Sequence, residues 1–257
     1  MNIVQTIILG VIQGLTEFLP ISSSGHLIIA GRMLGISYMP LSFELVAHVG
    51  TLLAIVIAMR KTVWGLVKKP LQKTNALLIV ATVPTILIFL VFRNVFEVAF
   101  DGRWLALCFV ITAAVLLISS MVHYKKPKTE FSFLDAAIIG IAQGATGFPG
   151  ISRSGTTIAS GKLLGAEQKT AANFSFLLAI PLIMGATVWQ IATTGLSLDA
   201  LPIAALIAGF IASFISGLFA VKFMLKLLQK FSLNAFSIYL ILLAAFMLLN
   251  DFIFMLF

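Results

Sequence analysis

Four side chains in this sequence are of types that do chemistry: Glu17, Ser23 and His26 in "GLTEFLPISSSGH" (14–26), and Arg153 in "PGISRSG" (149–155). A serine within reach of a histidine can be activated as a nucleophile. An arginine among hydroxyls and helix-starting backbone N–H groups is an anion site, best suited to phosphate. A carboxylate repels phosphate unless it acts on a proton or a divalent cation lies between them. Mg2+ is commonly held by one or two carboxylates plus substrate phosphates. Together these parts suggest phosphoryl transfer.

The surroundings of these residues are apolar. The chain has 257 residues, 60% hydrophobic and 10% charged, where a soluble domain carries about 25% charge. Apolar runs near twenty residues recur along its length, so the chain reads as an all-α integral membrane protein. A net charge of +8 does not indicate nucleic acid, because the cations lie in short loops between spans, the positive-inside pattern. The one cysteine, Cys108, sits in an apolar run as a small buried residue, with no disulfide framework or metal cluster. The first twenty residues lack a basic start and a small-residue cleavage site, so they are not a cleavable signal. A charged group inside a membrane span costs several kcal/mol unless paired or hydrated, which makes Glu17 and Arg153 functional candidates.

Six segments read as full spans: roughly 43–59, 75–92, 104–122, 170–193, 199–220 and 234–256. Two regions are too short. The apolar piece after Pro20 runs only from Leu27 to Leu34, about half of a bilayer core, and the piece after Pro149 and Gly150 stops at Gly165. These regions are copies: residues 12–35 align without gaps on 142–165, an offset of 130, with 12 of 24 positions identical. The chain therefore reads as one membrane domain, 1–257, built of two repeats (about 1–130 and 131–257), each a broken-helix hairpin followed by three spans. Three is odd, so the second copy is inserted upside down. The fold expected is an inverted-topology repeat of six transmembrane helices plus two re-entrant hairpins that meet near the midplane. With that topology 13 of the 17 Lys and Arg fall on the face away from the N-terminus. That face is then cytoplasmic, and both termini face outward.

The first turn offers Gln13, Thr16, Glu17, Ser22, Ser23, Ser24 and His26, and the second Gln143, Thr146, Ser152, Arg153, Ser154, Thr156 and Thr157. The copies differ where Glu17 faces Gly147, Ser23 faces Arg153 and His26 faces Thr156. Plainer roles compete: Ser22, Ser24, Ser152 and Ser154 can simply cap half-helices, and Gly14, Gly31, Gly144 and Gly161 can allow close helix packing. Glu44 and His48, at i, i+4, are either a capping and interface pair or a lining of the site's mouth.

With these motifs assembled, and with "FSFLLAIP" (174–181), the chain resembles the undecaprenyl-diphosphate phosphatase family of the bacitracin-resistance type over essentially its whole length. The resemblance implies an enzyme of the bacterial plasma membrane that removes the terminal phosphate of a C55 isoprenyl diphosphate, recycling the lipid carrier of cell-wall synthesis. It also implies a divalent cation, Mg2+ or Ca2+, an outward-facing site and a homodimer. By the resemblance Glu17 is the motif's second acid and a metal ligand, Ser23 the nucleophile, His26 its partner and Arg153 the phosphate clamp. Gln13, Thr16, Ser22, Ser24, Gly25, Ser152, Ser154 and Gly155 would bind substrate. One position departs: Gln13 stands where the family commonly has Glu. A covalent phosphohistidine is excluded, because that chemistry needs a second histidine six residues after the arginine and Ala159 stands there. Two alternatives stay open: attack by water, with Ser23 only holding phosphate, and a transporter or flippase of polyprenyl phosphate, which inverted repeats also build.

Overall fold

The computed structural model describes residues 1–36, 38–195, 201–228 and 232–250. Among them are eleven α-helices and no named strand: α1 (Ile3–Phe18), α2 (Ser23–Met33), α3 (Leu41–Ala58), α4 (Arg60–Lys68), α5 (Lys73–Ala99), α6 (Leu105–Met121), α7 (Phe133–Gly144), α8 (Arg153–Leu163), α9 (Gln168–Thr194), α10 (Ile203–Leu227) and α11 (Asn234–Leu249). Four of them, α3, α5, α9 and α10, are long and apolar enough to cross a membrane, and α1, α6, α7 and α11 are shorter apolar helices. The chain is a multi-pass helical membrane protein. The expected spans 43–59, 75–92, 104–122 and 170–193 coincide with α3, α5, α6 and α9 to within a few residues at most ends; α5 runs on to Ala99. The start of the fifth span (199–200) and the end of the sixth (251–256) lie outside the described residues. Residues 60–68, read from sequence as part of a connecting loop, are instead a helix, α4. Their charges obscured a helical pattern whose Val63 and Leu66 rest on the core.

The two short regions are broken where the sequence places the breaks, and the same local chemistry does it twice. Asn2 and Ser132, 130 residues apart, both start a helix through a capping box, with Gln5 and Asp135 returning the bond to the cap N–H. Ser22 and Ser152 both cap the second half-helix, accepting from Gly25 N and Gly155 N. Gly35 and Gly165 end both, at φ 68° and 95°, with the next residue's N–H returning to the carbonyl of Gly31 or Gly161. A strap holds the second copy in place: Lys128 and Gly165–Glu167 exchange backbone hydrogen bonds of 2.7 and 3.0 Å, and the Tyr124 hydroxyl donates to Leu163 O.

Packing joins helices across the repeat boundary. Helix α1 lies against α10, α7 against α5, α3 against α9 and α10, and α6 against α11. Small residues permit this, since van der Waals fit rather than hydrophobic burial drives helix association in lipid. At Gly14 the α10 backbone at Ser213 and Gly217 comes so close that a Cβ has no room. Hydroxyls add ties: Thr85 Oγ1 donates to Gly140 O, Ser237 Oγ to Ala113 O, and the Thr157 and Ser175 hydroxyls lie 2.6 Å apart. Cys108 is buried, in agreement with its apolar setting.

Gly14→Ala should force α1 from α10, at an overpacking cost of about 1–3 kcal/mol, and lower the melting temperature of the detergent-solubilised protein by roughly 2–10 °C. Gly185→Ala, which meets no neighbour within 4 Å, should leave it unchanged. Equal melting temperatures for both variants would remove the close contact from the account of stability.

Candidate active site

The two turns bond to each other. Gly150 N donates to Ser22 Oγ (3.1 Å), and Ser154 Oγ donates to Leu19 O (2.8 Å). Thr112 of α6 clamps the second turn: its Oγ1 donates to Gly150 O (2.9 Å) and accepts from Ser152 N (3.1 Å). The starts of α2 and α8 therefore meet, and their first residues, Ser23 and Arg153, face one carboxylate. Arg153 Nη2 donates to Glu17 Oε1 at 2.6 Å, Ser23 Oγ to Glu17 Oε2 at 2.6 Å, and Gln13 Nε2 to Glu17 Oε2 at 3.0 Å. The ion pair is nearly closed off, with side-chain exposures of 11% for Arg153 and 8% for Glu17, whereas Ser23 is only half-buried. Four buried side-chain atoms have no hydrogen-bond partner among the described residues: Arg153 Nη1 and Gln13 Oε1 at this centre, and Ser42 Oγ and Gln143 Oε1 away from it. Of the two at the centre, one is a donor suited to an anion, the other an acceptor suited to a hard cation.

Ser22 carries the strain of this junction. It is the one non-glycine residue with positive φ (70°) among the described residues, a conformation that costs about 1–3 kcal/mol and collects at functional sites. Its counterpart Ser152 has an ordinary φ of −75°. The strained cap points Ser22 Oγ at Gly150 N while its carbonyl holds His26 Nδ1 at 2.7 Å. A carbonyl only accepts, so Nδ1 carries the proton. In the neutral ring Nε2 then accepts from the Tyr239 hydroxyl, also at 2.7 Å. Tyr239 stacks on the imidazole, and Phe109 meets it edge-on.

Of the residues singled out from sequence, Gln13, Glu17, Ser23 and Arg153 converge. Ser22, Ser24, Gly25, Ser152, Ser154 and Gly155 build the turns and caps that bring them together. Thr16 and Thr146 bond back into their own helices. His26 lies beside the centre, but both its ring nitrogens are engaged elsewhere, and the group in contact with the Ser23 hydroxyl is Glu17. In the second copy Gln143 donates to Thr85, and Phe96 packs where a side chain at Gly147 would go. His48 Nδ1 donates to the Glu44 backbone carbonyl (2.8 Å), so that pair is tied through the main chain. Sequence reading missed Thr112 and Tyr239. A signal for Tyr239 existed: it lies 130 residues after Phe109, so His26 sits between the two copies of one position.

No three His, Cys, Asp or Glu side chains among the described residues come together as a metal cage. The oxygen donors present, Glu17 and the unpartnered Gln13 Oε1 one helical turn away, fit a hard divalent cation that takes its remaining ligands from substrate and water.

The fold and site define a helical membrane protein whose polar centre is shared between two sequence-related turns. The family model described as bacitracin resistance protein BacA matches residues 6–246. The chain is 41% identical over 244 residues to the undecaprenyl-diphosphatase of Carboxydothermus hydrogenoformans, covering 93% of this chain and 94% of that one. It is 37% identical over 263 residues to that of Methanosphaera stadtmanae (93% and 94%) and 38% over 255 to that of Treponema denticola (94% of each). The chain belongs to the BacA undecaprenyl-diphosphatase family, as the turn motifs implied.

The tautomer is open to measurement. In protein labelled with 15N-histidine, His26 Nδ1 should resonate as a protonated nitrogen and Nε2 as an unprotonated one. Tyr239→Phe should shift Nε2 and leave Nδ1 protonated. A reversed pattern in the wild type would overturn the assignment.

Proposed function

We propose that this chain is an undecaprenyl-diphosphate phosphatase, which hydrolyses a C55 isoprenyl diphosphate to the monophosphate and phosphate and so recycles the lipid carrier and confers bacitracin resistance. Family membership supports the substrate. The observation that carries the chemistry is the Glu17 carboxylate, held on one oxygen by Arg153 and bonded on the other to the hydroxyl of Ser23.

In this reading the terminal phosphate lies against Arg153 Nη1 and the free N–H groups at the starts of α2 and α8. Ser23 Oγ attacks phosphorus and its proton passes to Glu17. The Oγ–P bond forms as the bridging P–O bond breaks, and undecaprenyl phosphate departs with the proton that Glu17 returns. Water then attacks the phosphoserine. Glu17 takes the water proton and hands it to Ser23 Oγ as the Oγ–P bond breaks. Arg153 stabilises charge on the transferring oxygens, which accounts for much of the acceleration in phosphoryl transfer. His26, locked between Ser22 and Tyr239, positions the start of α2. Glu17 and Gln13 would hold Mg2+ or Ca2+; such an ion supplies charge neutralisation at the phosphate when bound.

The same reading takes the chain as a single domain of two inverted repeats, with six spans and two re-entrant hairpins. The matched caps 130 residues apart and the pairing of helices across the repeat boundary support it. The excess of Lys and Arg on one face supports a plasma-membrane orientation with both termini and the active site outward.

The test is phosphate release from C55 diphosphate by purified protein in detergent, with and without chelator. Arg153→Lys keeps a cation beside Glu17 but removes the fork; it should cost about 10²- to 10³-fold in kcat/KM with little change in melting temperature. Arg153→Ala is the poorer probe, since stranding a buried partner costs about 3–5 kcal/mol. Ser23→Ala should abolish turnover and the trapped phosphoserine; near-full activity would show attack by water. Equally slow release by wild type and Arg153→Lys would sink the enzyme reading and leave lipid transport to be assayed in sealed vesicles; equally fast release would remove only the fork's role.

A further inference from the structure

Helix α4 begins at Arg60, two residues after α3 ends at Ala58. A membrane-spanning helix that ends there delivers α4 to the bilayer boundary. Its inner face, Val63 and Leu66, packs on the core. Its outer face and the turn after it are both apolar and basic: Trp64, Val67 and, in the turn, Leu71 are 60%, 63% and 99% exposed, and Arg60, Lys61, Lys68 and the C-cap Lys69 are exposed beside them. No Asp or Glu occurs between Leu45 and Phe96. Among the described residues, only Lys73 of the neighbouring cations is ion-paired, to Glu130 at 2.9 Å. Lys68 Nζ stands 5.2 Å over the Trp64 ring. The segment is pinned in shape, because Asn75 Nδ2 donates to the carbonyls of Leu66, Lys69 and Pro70, and Gln72 Nε2 to that of Gly65.

We propose that Arg60–Leu71 is a docking surface for anionic phospholipid headgroups of the leaflet at that face. Trp64, Val67 and Leu71 enter the boundary between headgroups and acyl chains, and Arg60, Lys61, Lys68 and Lys69 meet the phosphates. Basic amphipathic helices bind by this combination of buried apolar area and attraction to anionic lipid, and tryptophan favours headgroup depth. Four unneutralised cations on one short segment repel one another next to a zwitterionic surface and are relieved by an anionic one. The segment carries none of the residues of the Glu17–Arg153 centre, so its ligand is a structural lipid rather than the diphosphate substrate.

The full chain is reconstituted into nanodiscs of phosphatidylcholine, with or without phosphatidylglycerol. Retained phosphatidylglycerol is counted by native mass spectrometry for wild type and for the triple variant Lys61→Gln, Lys68→Gln, Lys69→Gln. Each lost lysine should weaken retention about five-fold, and the triple variant should lose the gain in melting temperature that phosphatidylglycerol gives the wild type. Its phosphate release in detergent should be unchanged. Independently of that variant's folding, Trp64 is read alone in a Trp104→Phe, Trp189→Phe background. Quenching by brominated acyl chains supports the proposal. Quenching by aqueous iodide and not by brominated lipid overturns it, as does equal phosphatidylglycerol retention by wild type and the triple variant. Displacement of the retained phosphatidylglycerol by added C55 diphosphate also overturns it, by assigning the cations to substrate.

Discussion

The ion pair between Glu17 and Arg153 is the constraint on which the rest of this molecule depends. Each charge belongs to a different copy of the repeat, and neither could lie in apolar surroundings alone. Together they neutralise each other, and the Ser23 hydroxyl and Gln13 amide satisfy the remaining carboxylate oxygen. This requires the two turns to reach the same point. The crossed packing of α1 on α10 and α7 on α5 makes that possible, because it locks each copy's hairpin to the other copy's long helix. Buried ion pairs are seldom a source of net stability. This one joins the two hairpins, since each supplies one partner and the pair closes only where both turns meet.

The two sequence-related turns differ at the positions proposed to carry the chemistry. Gly147 replaces the acid, and the Phe96 ring fills the space. Gln143 serves Thr85 instead of a carboxylate. The backbone strain follows the same asymmetry: Ser22 has positive φ while Ser152 is relaxed. The Ser23 hydroxyl, the proposed nucleophile, therefore sits in the strained copy, directly after the residue that holds the strain, and the relaxed copy supplies the guanidinium. One turn is shaped to present a hydroxyl and the other to hold a guanidinium.

The breaks in the two short regions and the long apolar helices were legible in sequence because each rests on local rules. Proline, serine caps and terminal glycines act within a few residues, and an offset of 130 survives in plain identity over 24 positions. What escaped depended on distance. Thr112 lies in an apolar helix where a single polar atom gives no periodic signal, Tyr239 is marked only by its 130-residue offset from Phe109, and the fold brings them to Gly150 and His26. Helix α4 escaped because its cations read as a loop. The pairing of Ser23 with Glu17 was likewise invisible: His26 is three residues from Ser23 in sequence, whereas Glu17 reaches it only because the chain turns back at Leu19–Ser22.

Two polar atoms of the Glu17–Arg153 centre have no partner among the described residues, and they are of opposite character. Arg153 Nη1 lacks an acceptor and Gln13 Oε1 lacks a donor. A buried polar group left without a partner costs about 1–3 kcal/mol. An anion on the guanidinium and a hard cation on the amide oxygen would relieve both at once, and a phosphate accompanied by a divalent ion has that pairing of charges. The neutral amide at Gln13 acts in this balance as well. A second carboxylate there would repel Glu17, whereas the Gln13 amide donates to it.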